Sequence, residues 1–246
     1  MRVLIVDDEM LARSILAEHL AKIPDVELVG QAANGFEAVK LAEELAPDLM
    51  FLDIQMPKLT GFEVLELLGD KAPAVIFTTA YDEYALRAFD VHAVDYLLKP
   101  VEPPRLADAI KRASERLRNK TPAPSPHELS AAARPPGRTL ERILIRQDGR
   151  VHVLPLERID FIEAQDDYLE FSIGGKRLRK QQTMADLESQ LDPTRFVRIH
   201  RSFILNVERL ARIDLYGKDS WLAILSDGSK LPMSRTGHAK LKELIG

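Results

Sequence analysis

Apolar residues in the first half of the chain follow two patterns that take turns. Short continuous runs stand at residues 3–6, 27–32, 49–52, 74–78 and 93–98. Such runs predict strands buried on both faces. Between them, residues 11–23, 35–45, 62–68, 83–89 and 103–117 carry apolar positions at helical spacing, and Pro47 ends the second of these helices. Five strands alternating with five helices predict a doubly wound parallel α/β domain.

The pattern breaks at residues 119–138, NKTPAPSPHELSAAARPPGR, where five prolines and little apolar content predict a semi-extended linker. Beyond it, short alternating runs recur at 142–146, 150–155, 159–164, 168–173 and 176–179. A helical stretch follows at 184–191, then strands at 196–200, 204–206, 210–215, 221–225 and 230–232, and a terminal helix at 236–245. Gly-containing turns separate the strands, so the second half predicts a mainly antiparallel β domain. The expected organisation is a first domain over 1–118, the linker, and a second domain over 139–246.

Composition narrows the function classes. The chain has no cysteine, which excludes a disulfide framework, thiol catalysis and cysteine-ligated zinc. The first apolar run lacks the length and basic flank of a signal peptide, and no run is long enough to span a bilayer. A cytoplasmic protein with no membrane partner is expected. The net charge of −4 divides unevenly: residues 1–120 hold 14 Lys+Arg and 21 Asp+Glu, and residues 138–246 hold 19 and 16. A mildly basic second half points weakly to nucleic acid.

The sharpest chemistry lies at strand ends. The first strand runs into Asp7 and Asp8 (VLIVDDE), the third ends at Asp53 (LMFLD), the fourth at Thr78 and Thr79 (VIFTTA) and the fifth at Lys99 (DYLLKP). In a parallel sheet these ends share one edge. Two carboxylates about 4 Å apart repel by roughly 4 kcal/mol at an effective dielectric near 20. A hard dication such as Mg²⁺ resolves that conflict, because it takes oxygen ligands and keeps waters and phosphate oxygens in its shell. Any one of these acids is as readily a turn or cap residue; the five positions together favour a phosphoryl site.

Residues 1 to about 118 resemble the receiver domain of two-component response regulators, through VDDE, LDIQMPKLTG, TTA and YLLKP. The resemblance implies that Asp53 accepts a phosphoryl group from a histidine kinase. It implies Mg²⁺ held by Asp7, Asp8, Asp53 and the carbonyl of Gln55, and Lys99 and Thr79 on the phosphoryl oxygens. It also implies Tyr96 as a switch residue and a cis bond before Pro100. The surface of residues 83–89 and 93–98 carries Tyr84, Ala85, Phe89 and Val94, apolar enough to predict homodimers on phosphorylation. A haloacid-dehalogenase phosphatase would need a second acid two residues after Asp53, where this chain has Gln55. No enzyme is expected.

Residues 140 to 246 resemble the LytTR DNA-binding domain, through IDFIEAQDDYLEF, FVRIHRSFILN and KLPMSRTG. That family reads DNA through loops. The resemblance implies contacts to double-stranded DNA with repeated half-sites from Tyr168, His200, Arg201, Ser234 and Arg235. Arg201 and Arg235 are the expected base readers, since the guanidinium fork matches guanine O6 and N7. Lys180 and Arg179 are candidates for phosphate. Acids at Asp166 and Asp167 sit where the family often has asparagine. A transcription regulator is thus expected; a signalling adaptor whose β domain binds protein or a small ligand is the alternative.

Overall fold

The structure is a computed structural model, and it describes residues 1–80, 93–119, 140–148, 150–216 and 220–246. The helix expected at 83–89 and the linker from residue 120 onward lie outside the described residues. The chain divides into two compact units, Met1–Pro136 and Gly137–Gly246.

The first unit holds a five-stranded parallel sheet of β1 (Arg2–Val6), β2 (Glu27–Ala32), β3 (Leu49–Asp53), β4 (Ala74–Thr79) and β5 (Asp95–Leu98), in the order β2-β1-β3-β4-β5. Residues 3–6 and 49–52 are at most 1% exposed, the burial that their unbroken apolar runs require. Val3, Ile5, Leu49 and Phe51 pack with Leu16 and Leu20 of α1 (Met10–Leu20) and with Leu106 and Ile110 of α4 (Pro103–Arg118). Between α1 and α4 come α2 (Gly35–Leu45) and α3 (Gly61–Leu68). Helix α1 stops at Leu20 rather than residue 23; Pro24 disfavours helical backbone at the residue before it.

Helix α3 begins against the end of β3. Thr60 and Glu63 form a reciprocal capping box at its N-terminus, with the Thr60 N–H donating to Glu63 Oε2 at 2.8 Å. The Gly61 N–H donates to the Ile54 carbonyl at 2.9 Å. A Cβ at Gly61 would stand 2.5 Å from the Asp53 carbonyl oxygen, so only glycine lets the helix approach this closely.

The second unit is built from antiparallel pairs. A hairpin of β6 (Arg142–Gln147) and β7 (Arg150–Pro155) precedes a five-stranded sheet. That sheet contains β8 (Phe161–Gln165), β9 (Tyr168–Ile173), β10 (Lys176–Lys180), β11 (Phe196–His200) and β12 (Phe203–Asn206), in the order β10-β9-β8-β12-β11. A third sheet joins β13 (Leu210–Leu215), β14 (Trp221–Leu225) and β15 (Lys230–Met233). The strand expected at 159–164 starts at Phe161, because a 3-10 turn over Leu156–Arg158 occupies the preceding segment. The helix expected at 184–191 is the shorter α5 (Met184–Glu188), followed after Asp192 by Pro193.

Register gathers three loops at one edge of the five-stranded sheet. Gln165 faces Tyr168 across the β8–β9 turn, Phe203 at the start of β12 faces Glu163, and Lys180 at the end of β10 faces Leu169. The turns at 166–167 and 201–202 are therefore neighbours. The register of β11 against β12 shifts between Arg198 and His200. The Ile199 carbonyl at this irregularity accepts the Ser234 N–H at 2.8 Å and the Ser234 hydroxyl at 3.1 Å. This docks the start of α6 (Arg235–Ile245) on the same edge. A Cβ at Gly237 would lie 2.0 Å from the Ile199 oxygen, so this contact also needs glycine.

Candidate phosphoacceptor pocket and nucleic-acid interface

In a doubly wound sheet the ligand crevice opens where strand order reverses, beyond the carboxyl ends of the strands. Here that point lies between β1 and β3, which end in the acids. Asp7, Asp8 and Asp53 each present a carboxylate oxygen, all within 4.8 Å of one another. Asp7 and Asp53 are 5% and 4% exposed, while Asp8 is exposed.

Each of the two buried carboxylates divides its oxygens in the same way. Oδ1 of Asp7 accepts the Glu9 N–H at 2.9 Å, and Oδ1 of Asp53 accepts the Gln55 N–H at 3.1 Å. Both Oδ2 atoms turn to Lys99 Nζ, at 2.8 Å from Asp7 and 2.7 Å from Asp53. One ammonium therefore hydrogen-bonds two buried carboxylates, and the exposed Glu9 carboxylate stands 3.9 Å from it. Burial pushes the Asp53 carboxyl above its usual range; the Lys99 hydrogen bond and charge pull it back, and the Asp7 charge pushes it up again. Burial also works against the Lys99 ammonium, but its hydrogen bonds and charge contacts with Asp53 and Asp7 win and hold its pKa above the ordinary value.

The other pocket residues stand around this centre. Thr79 closes β4 fully buried, and its carbonyl accepts the Lys99 N–H at 2.8 Å. Tyr96 faces Phe77 on β5 and is half-buried. Gln55 is exposed on the loop after β3, and the Lys99–Pro100 bond is cis. Arg13 has no counterpart among the expected site residues. It sits one turn into α1, where its Nη1 donates to the Asp7 carbonyl at 2.7 Å and the Asp8 carbonyl at 3.2 Å. It thereby fixes the acidic loop by its backbone. Its sequence signal is only an arginine early in the helix after the acids.

At the edge of the second unit the structure brings together Tyr168, Lys180, His200, Arg201, Ser234 and Arg235. Tyr168 is 48% exposed, and Arg201 and Arg235 are exposed. His200 Nδ1 accepts the Ser202 N–H at 3.2 Å, which leaves Nε2 as the protonated nitrogen of the neutral ring. Ser234 is the N-cap of α6: its hydroxyl accepts the Gly237 N–H at 3.0 Å, besides donating to Ile199. Lys180 is half-buried.

Two features of this edge depend on pairing. Asp166 has φ 49°, a left-handed turn conformation that aspartate tolerates better than most residues, so the β8–β9 turn accounts for an acid there. Glu163 and Glu170 face each other across β8 and β9, a like-charge pair. Arg177 Nη1 bridges them at 3.2 and 2.8 Å, and Arg179 Nε donates to Glu170 at 2.9 Å. Arg179 thus answers an acid within the sheet. No helix among the described residues is long and apolar enough to cross a membrane.

Comparison with known proteins agrees with both halves of this geometry. The model of the response regulator receiver domain matches residues 3–111, and that of the LytTR DNA-binding domain matches residues 149–246. The sensory transduction protein LytT of Enterococcus faecalis is 35% identical over 100% of this chain and 99% of its own length. The transcriptional regulatory protein BtsR of Salmonella typhi is 36% identical over 100% of this chain and 99% of its own. An uncharacterised response regulatory protein of Vibrio cholerae is 35% identical over 99% of this chain and 98% of its own. The chain therefore belongs to the response regulators that join a receiver domain to a LytTR DNA-binding domain, a family of transcription regulators and not of enzymes.

Proposed function

We propose that Asp53 is the phosphoacceptor of this regulator, and that its phosphorylation by a histidine kinase drives dimerisation and binding to repeated DNA half-sites. The observation that carries the proposal is the buried pair Asp7 and Asp53 sharing one ammonium, with a third carboxylate in reach. An Asp53 carboxylate oxygen attacks the phosphorus of the kinase phosphohistidine, the P–N bond breaks, and the imidazole leaves. The product is an acyl phosphate. Lys99 moves its hydrogen bonds from the carboxylate to the phosphoryl oxygens, and the Thr79 hydroxyl takes another. Tyr96 turns inward with Thr79.

The donor set suits Mg²⁺. Asp7, Asp8 and Asp53 bring hard oxygen ligands to one point, and the Gln55 carbonyl follows on the same loop. A bound Mg²⁺ would neutralise charge on the carboxylates and on the incoming phosphate. Arg13 holds the loop that presents Asp7 and Asp8.

The domain assignment is a receiver over 1–118, a linker over 119–138 and an output domain over 139–246. The dimer face is assigned to residues 83–89 and 93–98, of which Tyr84, Ala85 and Phe89 lie outside the described residues. A C₂ pairing of that face links two output domains and raises their effective concentration on a repeated site. Tyr168, His200, Arg201 and Arg235 face the bases, Lys180 a phosphate, and Ser234 holds Arg235 in place through the cap. A regulator charged by a kinase and bound to DNA works in the cytoplasm.

Four outcomes are expected. Asp53→Asn abolishes acid-labile incorporation of phosphate from acetyl phosphate in the presence of Mg²⁺; labelling at the normal rate would assign the acceptor elsewhere. Sedimentation of the beryllofluoride-treated chain gives a dimer at micromolar concentration, where an unchanged monomer would count against the switch. Competition binding gives a loss of about 1–3 kcal/mol for Arg201→Ala and for Arg235→Ala, each relaxing preference at one base pair. In the same assay Lys180→Ala weakens all sequences alike and lowers the salt slope by about one.

A further inference from the structure

Three arginines, Arg195, Arg198 and Arg201, recur every third residue into the β11–β12 turn. The structure treats them differently. Arg195 lays its fork on Glu208, with Nε and Nη2 both at 3.1 Å from the carboxylate oxygens. Arg198 donates from Nη1 to Glu188 Oε2 at 3.0 Å. Among the described residues, no acid pairs with the Arg201 guanidinium.

Arg198 has a second contact, and it is the informative one. Its Nη2 donates to the Arg201 carbonyl at 3.0 Å. The fork therefore spans from the last residue of α5 to the turn peptide. Only a planar guanidinium offers donors on two separate nitrogens in that fixed relation; an ammonium's donors rotate about a single nitrogen and hold neither acceptor in a set direction. The rest of the turn is pinned as well: the Ser202 N–H by His200 Nδ1, and the Ser202 carbonyl by the Ala164 N–H at 2.9 Å. With the backbone held on each side, the Arg201 side chain is the part of the turn left to reach outward. Glu188 also stands 3.9 Å from Lys240 Nζ on α6, the helix that begins with Arg235. One carboxylate thus touches both elements that present the proposed base readers.

We infer that Glu188 and Arg198 form a clamp that aims Arg201 at its base pair, with Arg198 a positioning residue and Glu188 its anchor; this rests on Arg201 being a base reader. The clamp has a second effect. It cancels the Arg198 charge beside the DNA edge, where a loose arginine would attract phosphate without regard to sequence. Losing the anchor should therefore move specificity and non-specific affinity in opposite directions, whereas damage to the fold would lower both.

The test uses the full chain treated with beryllofluoride. A duplex selected from a random-sequence library by the wild-type chain is compared with its single-base variants and a scrambled duplex over several salt concentrations. Arg198→Lys and Glu188→Gln are each expected to reduce discrimination by about tenfold at the base pair that Arg201→Ala relaxes. Neither should reduce it further in the Arg201→Ala background, because coupled residues are not additive. Glu188→Gln should also bind the scrambled duplex more tightly, with a salt slope steeper by about one. Equal weakening on matched, mismatched and scrambled duplexes would overturn the clamp and leave the Arg201 assignment standing. Unchanged discrimination in Arg201→Ala would overturn both. Should Arg198→Lys not fold by circular dichroism, Glu188→Gln alone decides.

Discussion

Asp7 and Asp53 share a single ammonium, and the first unit is organised around that fact. Each carboxylate gives one oxygen to a backbone N–H of its own loop and the other to Lys99. The arrangement is satisfied in hydrogen bonds but short of positive charge. Burial of charge in a low-dielectric site is costly unless it is paired, and here two buried carboxylates, with those of Glu9 and Asp8 nearby, face one ammonium. Burial first, and the Asp7 charge after it, hold the Asp53 carboxyl above its ordinary range against the pull of Lys99. A pocket in this condition favours whatever brings positive charge to the carboxylates.

The fold holds this imbalance by rigid means. Asp53 ends β3 and Asp7 directly follows β1, two strands with buried runs at the point where strand order reverses. Gly61 lets α3 press against the Asp53 carbonyl, and Arg13 fixes the carbonyls of Asp7 and Asp8 from the opposite side. The second unit uses a comparable device for another purpose. An irregularity at Ile199 lends a strand carbonyl to the cap of α6, and Gly237 permits the contact. Loops distant in sequence thereby become one surface.

Much of the first unit was legible because buried parallel strands produce unbroken apolar runs, and the residues ending those runs must meet at one edge. Asp7, Asp8, Asp53, Thr79 and Lys99 could be gathered on that argument alone. The division of oxygens between backbone and Lys99 could not, since it depends on distances that no spacing encodes. Arg13 was hidden for the same reason. In the second unit the strands were visible and the choice of loops came from family resemblance. Register then decided what resemblance could not: Arg179 answers Glu170 across the sheet, and Asp166 follows from a left-handed turn. The Ser234 cap had a signal, a serine directly before a helix, whose hydroxyl serves the chain's own backbone.

Burial and the Asp7 charge outweigh Lys99 at Asp53 and leave the carboxylate of the proposed phosphoacceptor under-neutralised. Carboxyl-carbon NMR of aspartate-labelled protein without divalent cation, with Asp53 assigned through Asp53→Asn, follows its titration directly. The account predicts a midpoint above the ordinary aspartate value of about 3.9. A midpoint at or below that value would mean that Lys99 fully balances the pair, and would contradict the claim.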